Sequence, residues 1–104
     1  MEGGQLSIDK VPERFRADIH TAIRILKSYG ARDVFLFGSV LTATDPSTVG
    51  DLDIAVAGMP PENFFRAYGA LTMDLEWPFD LVDLDNDAAF VQSLRRGGRL
   101  ERVA

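Results

Sequence analysis

Apolar residues between Val11 and Tyr29 recur three and four positions apart, at Val11, Phe15, Ile19, Ala22, Ile23, Leu26 and Tyr29. That spacing predicts an amphipathic helix with one face buried. Asp9 is placed to cap it, Pro12 suits its first turn, and Gly30 suits the position just past its end. The opposite face carries Arg14, Asp18, Arg24 and Lys27 and is expected to meet solvent, with His20 at the boundary of the buried stripe. The period then changes. Val34-Phe35-Leu36-Phe37 is apolar at every position, which predicts a strand covered on both faces. Gly38 ends it, Leu41-Thr42-Ala43 fits one helical turn, and Asp45 to Gly50 reads as a loop. A second strand follows from Leu52 to Ala57, with Leu52, Ile54 and Val56 on a packing face. Asp51, Asp53, Ala55 and Ala57 fall on the other face, which reads as small and carboxylate-tipped.

Gly58-Met59-Pro60-Pro61 interrupts the pattern, and Pro61-Glu62 opens a second helix with Phe64, Phe65, Tyr68, Leu71, Thr72 and Leu75 on one side. Pro78 closes the connection, and Phe79 to Leu84 predicts a third strand. Strand, crossover helix and strand form a right-handed unit with the last two strands parallel. The first two strands, joined without a long helix, are free to run antiparallel. A last helix from about Asp87 to Arg96 should bury Phe90, Val91 and Leu94 before Gly97-Gly98 stops it. The closing segment Arg99 to Ala104 is too short to assign, and residues 1–7 read as a flexible polar lead-in. The expected fold is one α/β domain over residues 1–104, a small mixed β-sheet with helices packed on it.

Composition narrows the class without changing that picture. With 104 residues, 46% of them hydrophobic, the chain can bury one modest core. A formal net charge of −5, with acidic residues concentrated between Asp74 and Asp87, argues against a standing affinity for nucleic acid or anionic membrane. Cysteine is absent, which removes disulfides, thiolate nucleophiles and Cys-based zinc sites, and a single histidine, His20, rules out a His-rich metal site. No apolar run approaches the roughly 20 residues that span a bilayer, and the start MEGGQL does not resemble a signal peptide, so the expected location is cytoplasmic.

The chemistry concentrates between Val34 and Ala57. Asp51 and Asp53 are one residue apart at the start of an apolar strand, so alternation aims both carboxylates at one face. Two ionised carboxylates about 4 Å apart repel by roughly 4 kcal/mol at an effective dielectric near 20. A hard divalent cation such as Mg²⁺, completed by nucleotide phosphates and water, relieves that repulsion. Gly38 lets backbone approach a phosphate closely, and the amides after it, with the Ser39 hydroxyl, can donate to phosphate oxygens. Asp80, near the start of the third strand, is placed to take a proton from an attacking hydroxyl and to share metal. Asp83 and Asp85 fall on the opposite face if alternation holds, so the choice of Asp80 over Asp83 as third carboxylate depends on register. Asp83, Asp85 and Asp87 read as a solvated acidic edge or helix cap. Trp77 and the Phe64, Phe65, Tyr68 stripe read as core or partner surface. Arg95, Arg96, Arg99 and Arg102 form a solvated basic cluster able to steer a nucleotide or meet an acidic partner.

The segment GSVLTATDPSTVGDLDIAV followed by FDLVDLD resembles the DNA polymerase β-type nucleotidyltransferase superfamily, in its minimal nucleotidyltransferase (MNT) branch. The resemblance covers most of the chain from about Arg32 onward. It implies that Gly38 and Ser39 contact the triphosphate of ATP, that Asp51 and Asp53 hold Mg²⁺, and that Asp80 is the third catalytic and metal-binding carboxylate. It further implies an antitoxin partnered with a HEPN-domain toxin, a helical ribonuclease, onto a tyrosine of which the MNT protein transfers AMP from ATP. Two other readings stay open: an idle MNT domain that neutralises the toxin by binding alone, and a transferase acting on a small molecule such as an aminoglycoside. The chain departs from many such relatives at Thr42-Ala43-Thr44, where they carry an Arg-Gly pair.

Overall fold

The computed structural model describes residues 6–86 and 88–104. Eight elements follow in chain order: α1 (Glu13–Ser28), β1 (Asp33–Phe37), α2 (Ser39–Thr42), β2 (Leu52–Ala57), α3 (Phe64–Asp74), β3 (Phe79–Asp83), α4 (Ala89–Gly97) and β4 (Leu100–Arg102). The four strands form one mixed sheet in the order β3-β2-β1-β4, with β1 antiparallel to β2 and β4, and β2 parallel to β3. The α/β class, the antiparallel first pair and the parallel crossover pair therefore match expectation. Among the described residues no helix is long and apolar enough to cross a membrane.

Two apolar clusters cover the two faces of the sheet. On one, Phe15, Ile19, Ala22 and Leu26 of α1 and Ala67 and Leu71 of α3 pack against Val34, Leu36, Leu52, Ile54, Val56 and Leu81. On the other, Val91 and Leu94 of α4 cover Phe37, Ala55, Ala57 and Leu84. Ala55 and Ala57 are thus buried, so beyond the Asp53 carboxylate β2 is packed on both faces, not one. Small residues there are what let α4 approach the sheet.

The end of α1 follows the sequence signal. Gly30 takes φ +98°, its N–H donates to Lys27 O at 3.0 Å, and the Ala31 N–H donates to Leu26 O at 3.0 Å, which satisfies the last carbonyls of the helix. Its start does not. Ser7 caps a single 3₁₀ turn that contains Asp9, and α1 begins only after Pro12, so Asp9 is not the cap of the long helix. The last helix starts at Ala89, and Asp87 lies outside the described residues. Residues 1–5 of the expected lead-in also lie outside them.

Two further expectations are corrected, and one unassigned segment is resolved. Phe65 is 82% exposed, because α3 buries Ala67 and Leu71, with Phe64 partly buried beside them, and so turns its stripe away from Phe65. Phe90 is 57% exposed and only edges against Phe37, with ring centroids 6.1 Å apart. The unassigned closing segment supplies β4, paired through Leu100↔Phe37 and Phe35↔Arg102.

Asp18 is the largest departure. Expected in solvent, it is 5% exposed and accepts the Glu76 N–H at 3.0 Å and the Trp77 N–H at 2.8 Å. These amides belong to the turn that leads into β3, and Trp77 is held in addition by its Nε1–H donating to Arg14 O at 3.2 Å and by the Phe15 ring at 4.8 Å. Replacing Asp18 with Ala strands two N–H groups, so Asp18→Ala is expected to cost about 2–3 kcal/mol in urea unfolding. Asp18→Asn, which keeps one acceptor oxygen, should lose roughly half as much.

Candidate functional site

Every predicted site residue lies at one end of the sheet. β1 runs toward that end and finishes at Gly38; β2 and β3 start from it, carrying Asp51, Asp53 and Asp80. The parallel register pairs Asp53 with Asp80 directly, and it pairs Asp83 with Val56 at the far end of the strand. Asp83 therefore stays away from the cluster, where its carboxylate accepts the Asp85 N–H at 2.9 Å in the turn after β3. Asp85 in turn accepts the Gly58 N–H at 2.8 Å and lies 4.0 Å from Arg95, so both serve the turn.

Asp51, Asp53 and Asp80 each offer one carboxylate oxygen, and the three oxygens lie within 4.8 Å of one another. Asp53 is half-buried between the other two, and Asp80 is exposed. None of the ion pairs among the described residues engages the three. Two charges at that separation repel by roughly 3.5 kcal/mol at an effective dielectric near 20. Burial first, and then the neighbouring charges of Asp51 and Asp80, push the Asp53 carboxyl up to about 6. Three hard oxygen donors without a protein cation are the donor set that suits Mg²⁺ or Mn²⁺, with solvent and a phosphate filling the remaining positions.

Gly38 closes the site from the β1 side. Its backbone, φ +78° and ψ −154°, is a conformation essentially reserved for glycine. A Cβ at this position would overlap the Asp53 carboxylate and lie 2.9 Å from its Cγ. Ser39 then starts the single turn of α2, whose first amides have no partner within the helix. Gly38, Ser39, Asp51, Asp53 and Asp80 are thus brought together by three neighbouring strands.

Two arginines missed by sequence reasoning hold α2 and the loop that follows it. Arg14 donates from Nη2 to Val49 O at 2.8 Å and to Pro46 O at 2.5 Å, fixing the approach to Asp51. Arg99, opposite the end of β1 because Leu100 pairs with Phe37, donates from Nη1 to Leu41 O at 2.9 Å and from Nε to Glu101 at 3.0 Å. Between Asp33 and Phe65 the chain has no Lys or Arg, so Arg99 is the cation that the fold brings nearest to the Gly38 turn along the sheet. Its position was not legible without β4. Of the other basic residues, Arg95 clamps Leu84 O at 2.7 Å and Arg102 pairs with Asp33 at 3.5 Å.

Fold and site together define a small α/β domain with a three-carboxylate cluster at the glycine-turn end of a mixed sheet. Compared with known proteins, the chain matches no family model and no curated protein.

Two outcomes follow for the site itself. Gly38→Ala is expected to destabilise by about 2 kcal/mol in thermal unfolding, with part of the loss recovered when Asp53 is shortened to Ser in the same chain. The raised Asp53 carboxyl binds its proton more tightly folded than unfolded, so metal-free stability falls as pH rises from the ordinary carboxylate range of about 4 through about 6. Asp53→Asn removes that dependence. Denaturant curves should show the variant about 1 kcal/mol more stable than wild type near pH 8, after allowance for solvent screening, with the gap closing near pH 4.

Proposed function

We propose that this chain is a Mg²⁺-dependent nucleotidyltransferase that serves as the antitoxin of a HEPN toxin, transferring AMP from ATP to a tyrosine hydroxyl of that toxin. The observation that carries the reading is the convergence of Asp51, Asp53 and Asp80, one oxygen each within 4.8 Å, beside a glycine turn that leaves no room for a side chain. Bound Mg²⁺ supplies charge that offsets the phosphate oxygens as the transfer proceeds. Asp51, just before β2, and Asp53, within it, would hold it. Gly38 and Ser39 present backbone amides and a hydroxyl to the triphosphate. Asp80, an exposed member of the three, accepts the proton of the tyrosine hydroxyl as its oxygen bonds to the α-phosphorus and pyrophosphate leaves.

A second reading has one observation in its favour. The loop from Ser39 to Gly50 carries no cation to meet a triphosphate, while Phe65 and Phe90 stand exposed on the same molecule. An antitoxin that acts by occupying its partner without transfer needs only such a surface. The two are separated by one experiment. Incubated with the HEPN partner and Mg-ATP, wild type should add AMP-sized mass to the toxin, and Asp53→Asn should lower the rate by about a hundredfold or more. If wild type transfers nothing and Asp53→Asn still rescues growth from the toxin, the occupancy reading replaces the enzymatic one.

A further inference from the structure

The two edges of the sheet are treated differently. At the β4 edge the chain covers itself, because the Leu6 N–H donates to Arg102 O. At the β3 edge it does not. Leu52 N–H goes to Pro78 O and Leu84 N–H goes to Val56 O, so alternate residues of β3 turn their peptide groups toward β2. Phe79 and Leu81 turn theirs outward, where no described residue bonds them. An open edge of this kind is a template for another strand.

Beside it lies an apolar groove of about 420 Å³, which runs over β3 from Phe64 and Phe65 of α3 to Phe90 and Val91 of α4. Phe65, at 82% exposure, and Phe90, at 57%, stand one on either side of the strand. Side chains of an added strand alternate between faces, so its successive residues would meet one aromatic and then the other. Asp83 is the one charged residue among the described residues lining the groove, and Asp80 lies near the start of the same strand. Asp85 is already met by the Gly58 N–H and Arg95, so Asp83 and Asp80 are the charges β3 itself presents. A second copy of this chain is a poor occupant, since pairing β3 with itself brings the Asp80 and Asp83 of both copies into one short two-stranded contact with no cation of β3 to offset them. Cationic side chains between apolar ones complement this edge.

We propose that the outer edge of β3, with the Phe65 and Phe90 groove, is the docking strand for an extended, lysine- or arginine-bearing segment of a partner protein, which adds as a fifth strand. Because Asp80 lies near the start of β3, a segment seated here runs toward the carboxylate cluster. That the docked partner is also the acceptor of AMP rests on the proposed function; the docking does not.

The test is a fluorescence titration of the full chain, without ATP or Mg²⁺, with a labelled probe of about ten residues alternating lysine and valine. Amide hydrogen exchange is followed alongside. The probe should bind wild type, slow exchange at Phe79 and Leu81, and lose about tenfold in affinity in the Phe65→Glu, Phe90→Glu double variant, whose two sites are exposed enough to spare the fold. A glutamate–valine probe of the same length should not bind. Absence of lysine–valine binding, equal binding by the double variant, or binding without protection at Phe79 and Leu81 overturns the proposal. So does a concentration-dependent dimer of wild type that Phe65→Glu dissolves, which assigns the edge to a second copy. With no nucleotide in the titration, its failure is read separately from a failure of AMP transfer.

Discussion

Arg14 and Asp18 lie one turn apart on α1 and reach into the two loops on which the site depends. The Arg14 guanidinium takes the carbonyls of Pro46 and Val49, just before Asp51, and the Asp18 carboxylate takes the amides of Glu76 and Trp77, just before β3 and Asp80. Each side chain meets the backbone group that its charge suits, a cation on carbonyl oxygens and an anion on N–H groups. Without these clamps, strand pairing alone would set the register of β2 against β3 while the approaches to both strands stayed loose. Asp18 has the stronger claim to importance, because a buried carboxylate that lost its amides would be costly. α1 is therefore the frame from which two of the three carboxylates are positioned, although it contributes no residue to the cluster.

What the frame assembles is energetically unfavourable on its own terms. β2 is flanked by β1 and β3 and covered on both faces, so Asp53 at its start is drawn partly out of water and set between two like charges. Gly38 tightens the arrangement, since any side chain there would displace the Asp53 carboxylate. A fold selected only for stability would place an asparagine or a threonine at this position. Retaining the charge makes physical sense where a cation offsets it, and such a cation, binding the folded chain alone, would stabilise it in proportion to its occupancy.

Much of this was legible in the sequence because the signals are local. The stripe from Phe15 to Leu26, the all-apolar run Val34 to Phe37 and the alternation in β2 each state their element within a few residues, and the glycines at 30 and 38 mark real changes of direction. The grouping of Asp51, Asp53 and Asp80 followed from alternation plus a parallel crossover, both of which the structure bears out, and the register sets Asp80 beside Asp53 and Asp83 beside Val56. Asp18 was illegible because helical period alone gives a carboxylate at that place to solvent, and its partners lie 58 and 59 positions away. β4 was illegible for a similar reason: three residues carry no period, and only pairing with β1 defines them. The phase of α3 went wrong because Phe65 was weighted by its hydrophobicity, whereas the small Ala67 is what lets the helix sit on the sheet.

The exposed aromatics follow from the same economy. A chain of 104 residues that covers both faces of a four-stranded sheet with helices of 16, 11 and 9 residues has little left to shield an edge. At β4 the lead-in segment shields it through Leu6; at β3 two phenylalanines stand in the open beside unpaired peptide groups. Charge is the remaining protection against self-association, and Asp80 and Asp83 of β3 supply it along the edge that needs it. The same charges that keep like copies apart select for a partner of opposite sign, so one stretch of sequence meets both demands.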